Sequence, residues 1–207
     1  ADFDNDGDLD FVMVQWPPLK PILFVSQFSQ GVRDFIPVPL AAGLGFAASF
    51  ADLEDDGWAD LAVTAFAGAQ STPSALLHNA GGQFQVITNT PFARSDEYLI
   101  LHNWVDYDED GDIDFWGGHT EKPGWRAALF QNQGDGTLTR VADHVLIETP
   151  SSGSHACWGD YDNDGHLDAL VLFGSSHPGV LYRNLGGGEF EADSALPALQ
   201  GLDYGEW

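Results

Sequence analysis

One acidic pattern, Asp-x-Asp/Glu-x-Asp-Gly-x-x-Asp, occurs four times in this chain, at spacings of 50, 54 and 54 residues. The copies are Asp2–Asp10, Asp52–Asp60, Asp106–Asp114 and Asp160–Asp168. A period of this size, kept over 207 residues, confines the chain to architectures made of repeated units. The repeats run 1–50, 51–104, 105–158 and 159–207, and they use every residue as one continuous segment.

The likeness between units extends past the acidic loops. Phe50, Trp104 and Trp158 each precede a loop by two positions, and Trp207 holds the same phase at the chain end. Each loop is followed by an apolar run: Phe11–Trp16, Leu61–Phe66, Phe115–Trp116 and Ala169–Phe173. A second run follows at Ile22–Val25, Ala75–Leu77, Ala127–Phe130 and Val180–Tyr182. In three units it leads into Asn79, Asn132 or Asn184 and then a glycine turn. Short pieces such as Phe84–Thr88, Leu138–Val141 and Phe190–Ala192 close the units. With 24 Gly and 11 Pro as punctuation and no helical periodicity, each unit is expected to form four short strands. Four-stranded units at this period predict an all-β fold, a β-propeller of four-stranded blades.

The loop composition specifies its own chemistry. Of 32 acidic residues, 20 lie in the four windows, so most of the net charge of −25 is concentrated there. Carboxylates packed this densely repel one another unless a cation neutralises them. When the backbone curls around a centre, side chains one, three, five and nine converge, and the glycine allows the turn. The seventh carbonyl completes an all-oxygen set of hard donors suited to Ca²⁺, up to four ions per chain. An EF-hand is excluded, since loop position twelve is Met13, Val63, Gly117 or Val171 and no helix flanks it.

The units resemble the FG-GAP/VCBS repeats of integrin-α-like propellers, closest to the bacterial and cartilage-acidic-protein type. Trp158–Asp168 and Leu181–Phe190 carry the resemblance most fully, and it covers essentially the whole chain. It implies that each loop joins the first and second strands of a blade and binds Ca²⁺. The implied side-chain ligands are Asp2, Asp4, Asp6 and Asp10, then Asp52, Glu54, Asp56 and Asp60. In the later loops they are Asp106, Asp108, Asp110 and Asp114, and Asp160, Asp162, Asp164 and Asp168. Backbone carbonyls are implied from Asp8, Trp58, Asp112 and His166. Glu54 departs from the pattern by one methylene, which ranks the second site weakest. The first unit lacks the Leu-Tyr-x-Asn string and has Phe24-Val-Ser-Gln27 instead.

The phase of the chain matters for closure. It opens inside a loop, so the first unit lacks a first strand, and Leu202–Trp207 aligns with first strands at Phe46–Phe50, Leu99–Trp104 and His155–Trp158. Three arrangements are open: closure as four blades, head-to-tail strand exchange in a homo-oligomer, or membership of a longer propeller.

Several functions are excluded or weakened. Seven Lys and Arg cannot build a nucleic-acid surface, and no apolar run reaches the roughly 18–20 residues of a membrane helix. A single cysteine, Cys157, allows no internal disulfide and is expected to be a small buried apolar residue. Four equivalent carboxylate sets speak against an active site, which needs one asymmetric pair. The best acid–base set elsewhere is His119, Glu121, Lys122 and Arg126, placed in a long second-to-third-strand loop. The seven histidines are expected to be loop residues. Trp104, Trp158 and Trp207 are expected in blade cores. The non-recurring Trp16, Trp58, Trp116 and Trp125 are candidates for sugar or protein contacts.

The leading expectation is a calcium-stabilised, non-enzymatic platform for adhesion or recognition of a protein or glycan. Loops of this kind need calcium near the millimolar level, which points to a secreted or cell-surface location. The alternatives are a carbohydrate-active propeller, of the polysaccharide lyase or hydrolase kind, and a self-assembling structural module.

Overall fold

Strand propensity and turn punctuation produce, among the described residues of the computed structural model, 15 strands and a single 3-10 turn at Pro91–Ala93. The structure describes residues 1–15, 19–43, 45–65, 73–93, 99–121, 124–148, 155–172 and 179–193. The first sheet is three-stranded: β1 (Phe11–Met13), β2 (Ile22–Ser26) and β3 (Phe35–Pro39). The second joins β4 (Ala47–Ala51), β5 (Asp60–Thr64), β6 (Ala75–Asn79) and β7 (Phe84–Ile87). The third joins β8 (Leu99–Val105), β9 (Asp114–Glu121), β10 (Gly124–Asn132) and β11 (Leu138–Arg140). The fourth joins β12 (His155–Gly159), β13 (Asp168–Leu172), β14 (Val180–Asn184) and β15 (Phe190–Ala192). All pairings are antiparallel, and strands that are neighbours in a sheet are consecutive in the chain.

Position within the sheet sets the burial of each strand. β5 is buried at all five residues, as a continuous apolar run between two partners requires. The outer strands β3 and β15 expose most of their residues and β7 exposes half, and Gln85 and Glu191 help keep those edges from pairing with other chains. In β12 the two-residue period turns Ala156 inward and Cys157 outward. Cys157 is therefore exposed, which corrects the expectation of a buried thiol.

The chain divides into two compact units, Ala1–Tyr98 with Gly134–Thr137, and Leu99–Gln133 with Leu138–Trp207. The core of the first gathers Phe3, Leu23, Leu40, Ala42, Leu61, Val63, Ala75 and Leu77. That of the second includes Val105, Tyr107, Trp116, Leu129, Leu146, Val171 and Tyr182. Each core draws on two sheets and on the second residue of an acidic loop, Phe3 or Tyr107. The loops are thus anchored by burial, worth about 1.5–3 kcal/mol for a large apolar side chain.

Three aromatic or imidazole expectations change. Trp116 is fully buried, with Nε1 donating to the Leu146 carbonyl at 3.3 Å, so it offers no surface for a ligand. Trp104 and Trp158 are only partly buried, Trp104 meeting Phe115 edge-on at 5.0 Å. His102 lies within β8 and stacks on Phe115 at 5.2 Å, and burial lowers its imidazole to about 4.

His119 and Glu121 lie in β9, where Glu121 pairs with Gly124 of β10. The long loop expected there is instead taken up by the paired strands β9 and β10, which run to Glu121 and from Gly124. Lys122, Trp16, His177, Trp207 and Leu202–Trp207 lie outside the described residues, as do the side chains of His119, Glu121, Trp125 and Arg126.

Candidate metal centres

The four loops share one backbone shape. Their fourth residue is left-handed in every copy: Asn5 at φ 54°, Asp55 at 52°, Glu109 at 62° and Asn163 at 61°. The glycines at position six have φ of 92°, 85°, 98° and 97°, a region that disfavours any Cβ.

Carboxylates at positions one and five hold this shape. Asp2, Asp52, Asp106 and Asp160 each accept the amide N–H groups of residues five and six at 2.8–3.2 Å. Asp6, Asp56, Asp110 and Asp164 accept the amide two residues on, from Asp8, Trp58, Asp112 and His166, at 2.8–3.0 Å. These bonds organise the loop and leave lone pairs facing its centre.

The ninth aspartate is buried in every copy: Asp10, Asp60, Asp114 and Asp168. One oxygen accepts the amide of loop position two, from Phe3, Leu53, Tyr107 or Tyr161, at 2.7–3.4 Å. The other accepts an amide at the end of the following strand, from Ser26, Asn79, Asn132 or Asn184, at 2.7–2.8 Å. This residue therefore clamps the loop entrance to the end of β2, β6, β10 or β14. Burial raises Asp114 to about 7 against the pull of those two amides.

The third position carries the strongest sign of a missing positive charge. Oδ1 of Asp4, Oε2 of Glu54 and Oδ1 of Asp108 are buried with no hydrogen-bond partner. Burial is the main cause raising all three carboxyls, reinforced by neighbouring loop carboxylates, and Glu54 reaches about 8. A buried carboxylate oxygen left unpaired costs free energy that a cation would recover.

Ligand atoms from Asp2, Asp4 and Asp6 lie within 4.8 Å of one another, as do those of Asp106, Asp108 and Asp114, and of Asp160, Asp162 and Asp168. In the second loop the converging set is Glu54, Asp60 and His78. Asp52 and Asp56 stay engaged with their backbone amides there.

The residue before the strand-ending Asn was not foreseen as part of the site. His78 Nδ1 lies 3.3 Å from Glu54 Oε1 and 3.2 Å from Asp60 Oδ1. Gln131 Nε2 donates to Asp108 Oδ2 at 2.6 Å. Arg183 places Nε 2.7 Å from Asp162 Oδ2, an ionic contact without a directed hydrogen bond, and Nη2 donates to Asp164 Oδ2 at 3.1 Å. The signal was available in the sequence: three polar residues in register inside apolar runs, next to the recurring Asn. The first loop has Val25 there and is met instead by Ser29, whose hydroxyl donates to Asp6 at 2.7 Å and whose amide donates to Asp8.

Neighbouring loops within a unit also touch. Asn5 Nδ2 donates to the Gly57 carbonyl at 3.0 Å, and His166 Nδ1 lies 2.7 Å from a Glu109 oxygen. Glu109 raises the His166 imidazole, and the His166 amide is the main cause lowering Asp164. The donor sets of the first and third loops fit a hard cation well. The fourth fits once Arg183 is set aside, and the second departs from the type.

Comparison with curated proteins finds no match to this chain. One family model does match, and its span runs from the first residue of the third loop through the fourth loop into β13. Residues 106–171 match the model of an FG-GAP-like repeat.

Proposed function

We propose that this chain is a calcium-loaded β-propeller segment that serves as a rigid, non-enzymatic platform for recognising a protein or glycan. The observation that carries the reading is the third loop position, where a buried carboxylate oxygen lacks a partner in three of four loops. Acidic side chains converge on the same centre in the first, third and fourth loops. The antiparallel four-stranded sheets and the FG-GAP-like repeat at 106–171 support the propeller half of the reading.

The ion would be held by the side chains of positions one, three, five and nine and the carbonyls of Asp8, Trp58, Asp112 and His166. Its chemistry is charge neutralisation: four divalent ions would cancel eight of 25 net negative charges. The protein's own residues supply the shape. The first and fifth carboxylates fold the loop, the ninth ties it to the sheet, and in the first three loops the buried second residue anchors it. Order maintained this way leaves the other loops free to present a constant binding face. An extracellular or cell-surface location follows from an ion requirement near the millimolar level. Among the described residues, no helix is long and apolar enough to cross a membrane.

The test is calorimetric titration of calcium into chelator-stripped protein, with thermal melts on the same samples. The expected result is at least three calcium ions per chain and a clear rise in melting temperature. Binding of none, with an unchanged melt, would overturn the reading.

A further inference from the structure

The second loop stands apart from the other three in the atoms it offers. Among the described residues it is the one converging cluster of metal-type donors that includes a histidine. The imidazole comes from β6, one residue before Asn79, at the position that Gln131 and Arg183 fill in the two later repeats. Neither Gln131 nor Arg183 presents an imidazole nitrogen or a carboxylate to its loop, whereas His78 presents Nδ1. Glu54, longer by one methylene than the aspartates at this position, reaches far enough to meet it.

We propose that the second loop is a mixed nitrogen–oxygen site for a borderline divalent cation of the Zn²⁺ and Co²⁺ class, held by His78 Nδ1, Glu54 and Asp60. The inference rests on the reading of these loops as cation sites and changes the ion for one of them.

Three observations carry it. Nδ1 sits 3.3 Å from Glu54 Oε1 and 3.2 Å from Asp60 Oδ1. Two donors each about 2.0–2.1 Å from a tetrahedral ion lie roughly 3.3 Å apart, so both separations match the edges of one tetrahedron. Second, Nδ1 bears either one proton or one lone pair. One proton cannot form two linear bonds, so a protonated Nδ1 satisfies only one of the two carboxylates, whereas an ion between them would engage all three groups. Third, Glu54 Oε2 is buried without a partner beside the same centre. Asp60 is 1% exposed, and its backbone bonds from Leu53 and Asn79 leave lone pairs for an ion.

The choice of ion follows from the donors. Calcium selects oxygen and tolerates high coordination, whereas an imidazole nitrogen among two carboxylates suits Zn²⁺ and its neighbours. Three protein donors leave the fourth corner of a tetrahedron open to water.

The experiment titrates Co²⁺ into the full chelator-stripped chain in about millimolar calcium and records visible absorption, with metal counted on the same samples. The expected result is one Co²⁺ per chain with intense four- or five-coordinate bands, displaced by one equivalent of Zn²⁺ and resistant to calcium. His78→Gln, which installs the residue used at this position in the third repeat, should weaken Co²⁺ binding at least about tenfold. Glu54→Ala gives a second, independent loss of the same bands, and far-ultraviolet circular dichroism verifies that both variants are folded. Bands that are absent, or indifferent to both substitutions, with calcium filling all four loops would overturn the inference and leave the calcium reading intact. Bands dependent on His78 in a protein that binds no calcium would support the inference and overturn the calcium reading.

Discussion

Asn79 and Phe3 are joined across 76 residues by a 2.8 Å hydrogen bond, Nδ2 donating to the carbonyl at the second position of the first loop. Nδ2 also donates to the Ala59 carbonyl at 3.1 Å, while Oδ1 accepts the Gly82 amide. Asn184 repeats the arrangement, donating to Tyr107 at 3.5 Å and Leu167 at 3.1 Å and accepting from Gly186. One buried amide thus ties its own loop, its own turn and the loop of the preceding repeat. Asn79→Ala leaves those groups buried and unpaired, so unfolding free energy should fall by about 1–3 kcal/mol. Urea denaturation of the calcium-loaded chain measures it.

Asp108 should respond to substitution with opposite signs in two conditions. Without metal its carboxylate is raised by burial and by Asp110, so Asp108→Asn removes repulsion and the stripped protein should melt higher. With calcium the same change removes a charged ligand, and the melting temperature should fall below wild type. Parallel melts in chelator and in calcium give the two signs.

Arg183 acts as a resident cation in the fourth loop. An entering calcium ion must compete with its contacts to Asp162 and Asp164. These contacts are partly exposed and screened by solvent, so Arg183→Gln should tighten that site by no more than about fivefold. Site-resolved calorimetry against wild type reads the change.

His102 supplies an acid-side dependence away from the loops. Burial depresses its imidazole from 6.5 to about 4, so the fold favours the neutral ring. Its contribution is whole above pH 6.5 and is lost as pH falls through about 4, amounting to up to roughly 3 kcal/mol. His102→Phe should flatten the difference in unfolding free energy across that window, measured as wild type against variant at each pH.

Strand placement was legible because it depends on local pattern. Phe190–Ala192 was read at its observed bounds, and Phe84–Thr88 ends one residue beyond the observed β7. The Asp-Gly loops were equally clear from spacing. What the sequence hid were relationships fixed only by the pairing of strands. Asp10 read as a ligand, yet both its oxygens hold backbone amides, because β2 brings Ser26 beside the loop. His78 read as a loop histidine, and only the pairing of β5 with β6 places it over Glu54. Trp116 failed to recur and so looked available, but a strand interior can bury any large ring that its neighbours accommodate.

The amide bonds received by the first carboxylate of every loop have a kinetic and thermodynamic consequence. Because Asp2, Asp52, Asp106 and Asp160 already hold the backbone curled, an arriving ion has little chain to order and loses little to conformational entropy. Its affinity is then governed by attraction to a crowd of like charges. Such attraction is long-ranged, speeds arrival, and weakens as dissolved salt screens it. Stripped and loaded chains would differ more in stability and surface potential than in shape, and the saltiness of the surroundings becomes a control on how firmly the loops are set.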